Sequence, residues 1–425
     1  MERFQESGSG NSMDFRPGKD PQRQRKGLRL LGFRIVVCLL AALTLLIVPI
    51  LGILLDGFVH RAPNFAETVP PPGERIGAIH IHTKASDGGG TVSEVVAAGH
   101  AADLSFLAIT DHNVAVSDAT LDEDPPDFPI ISGEELSTNS GHFVTLGIPP
   151  NWQRPPGGNA DSLLAATHEA GGFNILAHPF SRIPWTDWKT SDFDAIEIWN
   201  DDEILRRNTP LDVLISLVLY PVNIRLAVSR LALTPYPNLA KWDQLLGQRP
   251  VVGVCGADAH EALPLGHGLK KLRFPSYQSA FEAARTHVLL APNAGSGDPT
   301  RATAQEILDA LRHARAFCAL DALYPADGFI QRVSTGGASG GPGDSIAWNS
   351  GGTVHVSVPA GAKSPTIEIY RDGKEILAKH ASVVDEPLPG PGLYRIEVFL
   401  PQPGWTGWGR QTLWIFSNPT YVTAN

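Results

Sequence analysis

Cysteine is scarce, with Cys38, Cys255 and Cys318 the only three in 425 residues. So few exclude a disulfide-built scaffold. Cys255 and Cys318 sit in apolar runs, where buried thiols are expected. A basic excess is missing too: 34 lysines and arginines face 44 acidic residues, for a net charge of −10. With no surplus of cations to displace counterions from a phosphate backbone, nucleic acid is not an expected partner except as a short substrate. Methionine occurs only at Met1 and Met13, either of which can be the start. What is present is ordinary for a folding chain, 43% hydrophobic and 18% charged, and the length suggests about two domains.

Long uncharged runs are absent with one exception. Ile35 through Leu55 carries no charge, which is enough for a helix to cross a hydrocarbon core of about 30 Å. Residues 1–34 form a basic tail, in which Arg16, Lys19, Arg23, Arg25, Lys26, Arg29 and Arg34 face only Asp20 over its second half. The positive-inside rule puts that tail in the cytoplasm and everything after Asp56 outside, in the periplasm or at the cell surface. The reading is an uncleaved transmembrane signal anchor over 35–55. A cleaved signal peptide is the rival, but its apolar region is normally shorter and no clear small-x-small site follows Leu55. Residues 56–74, with Pro63, Pro70, Pro71 and Pro72, read as an extended linker.

From Arg75 onward short apolar runs alternate with helical patterns, and most runs end in a side chain that can bind metal. Gly77-Ala78-Ile79-His80-Ile81-His82 is a strand whose two histidines, spaced i, i+2, face the same way. Such a pair makes half of a divalent-metal site. Asp87 follows at the tip of a Gly88-Gly89-Gly90 turn, and Thr91 with Glu94 forms a capping box opening a helix to about Ala102. Leu104–Ile109 ends in Thr110-Asp111-His112, and Pro129–Ser132 in Gly133-Glu134-Glu135. His142 opens the strand Phe143–Gly147, a helix covers 160–170, and Phe173–Ala177 ends in His178-Pro179. Phe193–Asn200 repeats the form, and Val251–Ala257 leads into Asp258-Ala259-His260. One histidine alone is more often a core or surface imidazole than a ligand; two i, i+2 pairs at the ends of apolar runs are better read as a site. Strand–helix alternation with ligands at carboxyl ends predicts an α/β barrel, mostly parallel, with its site at the top.

His80-x-His82, Ser86-Asp87-Gly88, Thr110-Asp111-His112, Gly133-x-Glu135-x-Ser137, His142, Ala177-His178-Pro179 and Asp258-x-His260, in that order, resemble the successive motifs of the polymerase and histidinol phosphatase (PHP) family. The resemblance spans 75–325. It implies a distorted (β/α)7 TIM-like barrel holding two or three divalent ions, Zn, Mn or Fe. It places His80, His82, Glu135 and Asp258 on one ion, with Glu135 bridging to a second ion held by His142 and His178. Asp87, His112 and His260 hold a third. Glu135, His142, His178, Asp258 and His260 carry the catalytic expectation, and Glu134 falls outside the motif frame. Such ions would activate a bridging water and stabilise a phosphoryl group. Arg182 and Lys189 are candidates either for a phosphate clamp or for loop surface.

Residues 211–233 are apolar but interrupted, and fit helices that lean on the bilayer, roof the site or pack outside the barrel. His267 is either a loop residue or at the substrate mouth, and 302–313 has helical apolar spacing. Over 326–425 period-two runs with an Asp372-Gly373 turn predict a small antiparallel β-sandwich, Ig-like. Trp405, Trp408 and Trp414 there serve either glycan stacking or packing. The closing Leu413–Val422 is similar to secreted PHP-like metallohydrolases related to carbaryl hydrolase. The expected activity is therefore a metal-dependent hydrolase of a small anionic or ester substrate. A phosphoesterase comes first, a carboxyl-ester or carbamate hydrolase on the same site second. A non-catalytic, metal-stabilised envelope module is the alternative from outside enzymology.

Overall fold

The computed structural model describes residues 21–60, 69–115, 128–149, 151–262, 273–291 and 302–424. One helix, α1 (Pro21–Val59), is apolar from Leu28 onward and long enough to cross a membrane. Residues up to Gly52 form one compact unit by themselves, and Ile53–Asn425 form the other.

The second unit is a mixed α/β fold. Its first half runs β1 (Glu74–Ile81), α2 (Val92–Ala101), β2 (Phe106–Ile109), β3 (Ile130–Thr138), β4 (Gly141–Leu146), α3 (Ala160–Glu169), β5 (Phe173–Leu176) and β6 (Ala195–Asn200). Then come α4 (Asp201–Arg206), α5 (Pro210–Leu219), α6 (Ile224–Leu231), α7 (Tyr236–Leu246), β7 (Val252–Gly256), α8 (Tyr277–Phe281), β8 (Ala284–Leu289), α9 (Ala304–Arg312) and β9 (Ala316–Leu320). The helix starts follow local chemistry. Thr91 and Thr303 each close a capping box, with Glu94 and Glu306 respectively. β1, β2, β5, β6 and β7 are buried along their whole length, so their apolar residues do not alternate with exposed polar ones, and the polar side chains they carry, such as Glu74, Asn174 and Glu197, are buried with them.

A closed (β/α)7 barrel does not form. β1–β2–β3 and β5–β6–β7 pair in parallel, but β4 runs antiparallel to both of its neighbours: Asn139 and Ser140 turn the chain straight back from β3 with no helix between, and β5, reached through α3, pairs with β4 in the opposite direction. The start of β1 gives its second edge to β8, antiparallel from Glu74↔Leu289 to Gly77↔Thr286, which leaves no ladder for β7. Only the chain just after β7 reaches β1: Ala257 N donates to Ile79 O at 2.8 Å, and His82 N to Ala259 O at 3.0 Å. Those bonds bring Asp258 and His260 beside His80 and His82.

The remaining strands are β10 (Ile330–Thr335), β11 (Ala338–Gly340), β12 (Ser345–Ala347), β13 (Gly352–Ser357), β14 (Thr366–Arg371), β15 (Lys374–His380), β16 (Val383–Pro387), β17 (Gly392–Pro401), β18 (Gln411–Ser417) and β19 (Thr420–Thr423). Asp372 and Gly373, both at positive φ (51° and 74°), turn β14 into β15 as the primed hairpin turn requires. β10, β11, β13 and β16 make a separate four-stranded sheet. The others extend the large sheet to fifteen strands, because β18 pairs with β9 (Ile415↔Ala319). One core cluster accordingly runs from Trp242 and Val251 to Val354, Ile367 and Trp414. Cys255 of β7 and Cys318 of β9 form a disulfide, with a Cα–Cα distance of 5.9 Å, where two buried thiols are expected from the sequence. Adjacent apolar strands brought the two sulfurs together, a pairing that a separation of 63 residues hides.

At the start of β1 a buried charge clamp holds three strands. His287 Nδ1 lies 2.7 Å from Glu74 Oε1 and its Nε2 3.2 Å from Asp321 Oδ2. Burial disfavours the imidazolium, but Asp321 and Glu74 outweigh it and push the pKa up to about 10. A histidine raised in this way stabilises the fold fully below its unfolded value of about 6.5 and loses that contribution as pH rises toward 10. His287→Gln is therefore expected to lower stability by about 3–5 kcal/mol at pH 6 and by much less at pH 10. Denaturant unfolding at the two pH values measures this, and an equal loss at both would contradict the clamp.

Candidate metal centre

All nine sequence-expected side chains meet at one end of the large sheet. Glu135, at the centre, is wholly buried. Its Oε1 lies 2.8 Å from His142 Nδ1 and 3.0 Å from His178 Nε2. Its Oε2 lies 3.2 Å from both His80 Nε2 and His82 Nε2, and 3.1 Å from His112 Nδ1. Asp258 Oδ1 approaches His82 Nε2 at 3.4 Å and His260 Nδ1 at 3.5 Å. Asp87 completes the far side, 3.3 Å from His260 Nε2 and 3.8 Å from His112 Nε2.

Four overlapping groups of ligand atoms have metal-binding spacing: His82, Asp87, His112 and His260; His80, His178 and Asp258; His80, His82 and Glu135; and His112, Glu135 and His142. Several of these atoms have no hydrogen-bond partner although buried, namely His80 Nε2, both ring nitrogens of His82, His112 Nδ1 and Glu135 Oε2. Buried polar atoms without partners cost about 1–3 kcal/mol each, and aiming five of them at one another leaves a deficit that divalent cations would remove. The residues therefore fit two or three such ions. Backbone strain points the same way. His80, His178 and Asp258, one of the four groups, all have positive φ, at 68°, 28° and 46°. Non-glycine residues held there cluster at functional sites.

Electrostatics sharpen the picture. At His80 burial works against the charged ring, yet Glu197, Asp258 and Glu135 hold its pKa well above the ordinary value. The same contest pushes His178 and His260 up to about 9. Against the cost of burial, the surrounding imidazoles hold Glu135 and Asp258 well below the usual carboxylate range. His112, less surrounded, is lowered by burial.

Some supporting residues went unread in the sequence. Glu197, a lone charge in the buried strand β6, lies 2.7 Å from His80 Nδ1 and accepts a bond from His178 N at 2.7 Å. Its carboxylate occupies the space a side chain at Gly256 would need. Its signal was a carboxylate inside an apolar strand. Asp111 accepts from Thr83 N and Thr83 Oγ1, both at 2.7 Å, and so fixes the turn after His82. Glu134 points away from the cluster, as strand alternation requires, and burial raises it to about 7. Arg182 and Lys189 are exposed, and His267 lies outside the described residues.

A cavity of about 380 Å³ opens beside Asp87, Asp258 and His260. Its walls are mostly apolar, with Val228 and Leu231 of α6, Leu320 and Phe274 among them. Asp201 lines it with Oδ2 buried and without a hydrogen-bond partner.

No protein-family model matches this sequence, and no curated protein matches it. Among solved structures it is similar to a two-domain protein of Bacteroides vulgatus containing a predicted PHP-like metal-dependent phosphoesterase, at 12% identity and a TM-score of 0.40 over 84% of this chain and 99% of that one. It is similar also to a protein of Bifidobacterium adolescentis assigned as a metal-dependent phosphoesterase (17%, TM-score 0.30, 48% and 94%). A third likeness is to an amidohydrolase of Chromobacterium violaceum with bound sulfate and no metal (15%, TM-score 0.30, 43% and 87%). Likeness at this level leaves the chemistry to the side chains.

Metal uptake requires neutral imidazoles, whereas His178 and His260 stay protonated up to about pH 9. Loading metal-stripped protein with Zn or Mn at pH 7 is thus expected to expel the protons on His178 and His260, and that on His80, which is raised in the same way, with affinity climbing as pH rises toward 9. Calorimetry in buffers of different ionisation enthalpy counts them, and uptake without proton release would contradict the cluster.

Proposed function

We propose that this chain is a metal-dependent hydrolase of the PHP type, cleaving small phosphomonoesters whose organic part is apolar. The convergence on Glu135 of five imidazoles, several with orphaned buried nitrogens, carries the reading. His80, His82, Asp87, His112, Glu135, His142, His178, Asp258 and His260 would hold two or three divalent ions. Bound there, such ions supply Lewis-acid activation of water and charge neutralisation. With three carboxylates in the set, the loaded site keeps residual positive charge, which suits a phosphoryl group.

The cavity narrows the substrate. About 380 Å³ of mostly apolar space beside the cluster suits a compact aryl or branched alkyl group. Asp201 supports a role in leaving-group protonation. Burial first, then Asp258 and Glu197, raise its pKa well above the usual carboxylate value, so it keeps a proton to give.

One observation favours a second reading, carboxyl esters or carbamates. Among the described residues the only lysine or arginine lining the cavity is Arg206, and Asp202 already pairs with it. Among the described residues no free cation is left there to clamp a phosphate. Of the two readings of α1, an anchor is preferred to a cleaved signal. The basic tail before it and the Cys255–Cys318 disulfide both support an extracytoplasmic position for the hydrolase.

A panel of 4-nitrophenyl phosphate, alkyl phosphates and aryl esters, with Mn or Zn added, tests the function. Turnover of the phosphates is expected. Turnover of the aryl esters alone would select the second reading, and metal-loaded protein inert to the whole panel would overturn both. Asp201→Asn is expected to slow alkyl phosphates by about 10²-fold while sparing 4-nitrophenyl phosphate, whose leaving group needs no proton.

A further inference from the structure

The hydrolase unit has a face that neither the metal centre nor its cavity explains. It surrounds the last turns of α1, residues 53–59, which belong to the same compact unit as the site. Asp56 there is completely buried. It accepts bonds from Trp405 N at 3.2 Å and Thr406 N at 3.0 Å, and pairs with Arg230 at 3.7 Å. Gly404, at φ +76°, is required because a Cβ would strike the Asp56 carboxylate. On the other side Asn223 Nδ2 donates to Gly57 O at 3.0 Å and His60 O at 2.8 Å, while Ile53 packs against Leu219, Leu226 and Ala227. Although residues from 56 read as an extended linker, 56–60 are pinned, and 61–68 lie outside the described residues.

Around this pinned helix end the surface is apolar. Leu211, Leu214 and Leu217, spaced along one side of α5, are 64%, 56% and 47% exposed, and Trp408 and Trp405 in the adjoining loop are 90% and 47% exposed. Arg410 ties loop to helix through Asp212 at 3.0 Å. A leucine stripe on a helix and bare tryptophans cost free energy in water, and both suit the boundary of a bilayer, where leucines enter the acyl region and indole rings sit at headgroup level. α6 connects this face to the site, since its Leu226 and Ala227 pack with Leu219 of α5 while Val228 and Leu231 line the cavity.

We infer that the α5 leucines and Trp405–Trp408 form a lipid seat, by which the hydrolase lies on the outer leaflet around the root of its own anchor instead of hanging from a spacer. The occupant is the lipid surface, because the patch rings the point where an apolar helix of membrane-spanning length ends. The inference rests on the anchor reading, and the test separates the two.

Single cysteines for an environment-sensitive fluorophore are placed at Leu214, Trp408, Leu45 and Val383 of the full chain carrying Cys38→Ser, in phosphatidylcholine vesicles. Leu45 lies in the span, and Val383 is exposed on β16 of the small sheet. Labels at 214 and 408 are expected to shift to the blue and to be quenched several-fold more by acyl-chain nitroxide than the label at 383, which aqueous iodide quenches instead. If 45 is quenched by the nitroxide while 214 and 408 behave as 383, the seat is wrong and the anchor stands. If 45 also stays in water, the anchor fails and takes the seat with it. Labels at 214 and 408 shielded from both quenchers, with cross-linked dimers, would show a second copy on the face and overturn the inference.

Discussion

A single carboxylate, that of Glu135, gathers imidazoles from four segments of the sheet. β1 supplies His80 and His82, the end of β2 leads to His112, β4 opens with His142, and β5 ends at His178, all within 3.2 Å of one Glu135 oxygen or the other. No apolar core requires this arrangement, and burial opposes it. Positive φ at His80, His178 and Asp258 and the unpartnered ring nitrogens are costs of the same arrangement. A cation among the rings would offset them.

The sheet explains how these side chains reach one place. Parallel pairing of β1–β2–β3 and β5–β6–β7 brings carboxyl ends to a common edge, and the β3–β4 hairpin inserts His142 from the opposite direction, opposite Ser137 in register. The backbone bonds from residues 257–259 to β1 do the work that a closed barrel would do, carrying Asp258 and His260 to the cluster. Glu197 then braces two ligands at once, His80 through its ring and His178 through its backbone.

The site was more legible in the sequence than the fold. Ligand pairs such as His80-x-His82 and Asp258-x-His260 show in sequence because strand alternation fixes which way i and i+2 point. The helix start at Thr91 shows because capping is local. Sheet closure is not local: whether β7 meets β1 depends on β8 having already taken that edge, some 200 residues away. The same holds for the Cys255–Cys318 bond and for the junction of β18 with β9, both set by strands distant in sequence. Glu197 escaped notice because its partners lie on other strands, and Asp56 because its burial comes from a loop near residue 405.

Anomalous diffraction from crystals of the protein grown with Mn or Zn tests the metal centre most directly. Two or three peaks are expected among the nine side chains, at least one within about 2.0–2.6 Å of a Glu135 oxygen. A fully loaded crystal with no peak at Glu135, and with His80, His82 and His142 still gathered about a metal-free carboxylate, would contradict a metal-dependent hydrolase.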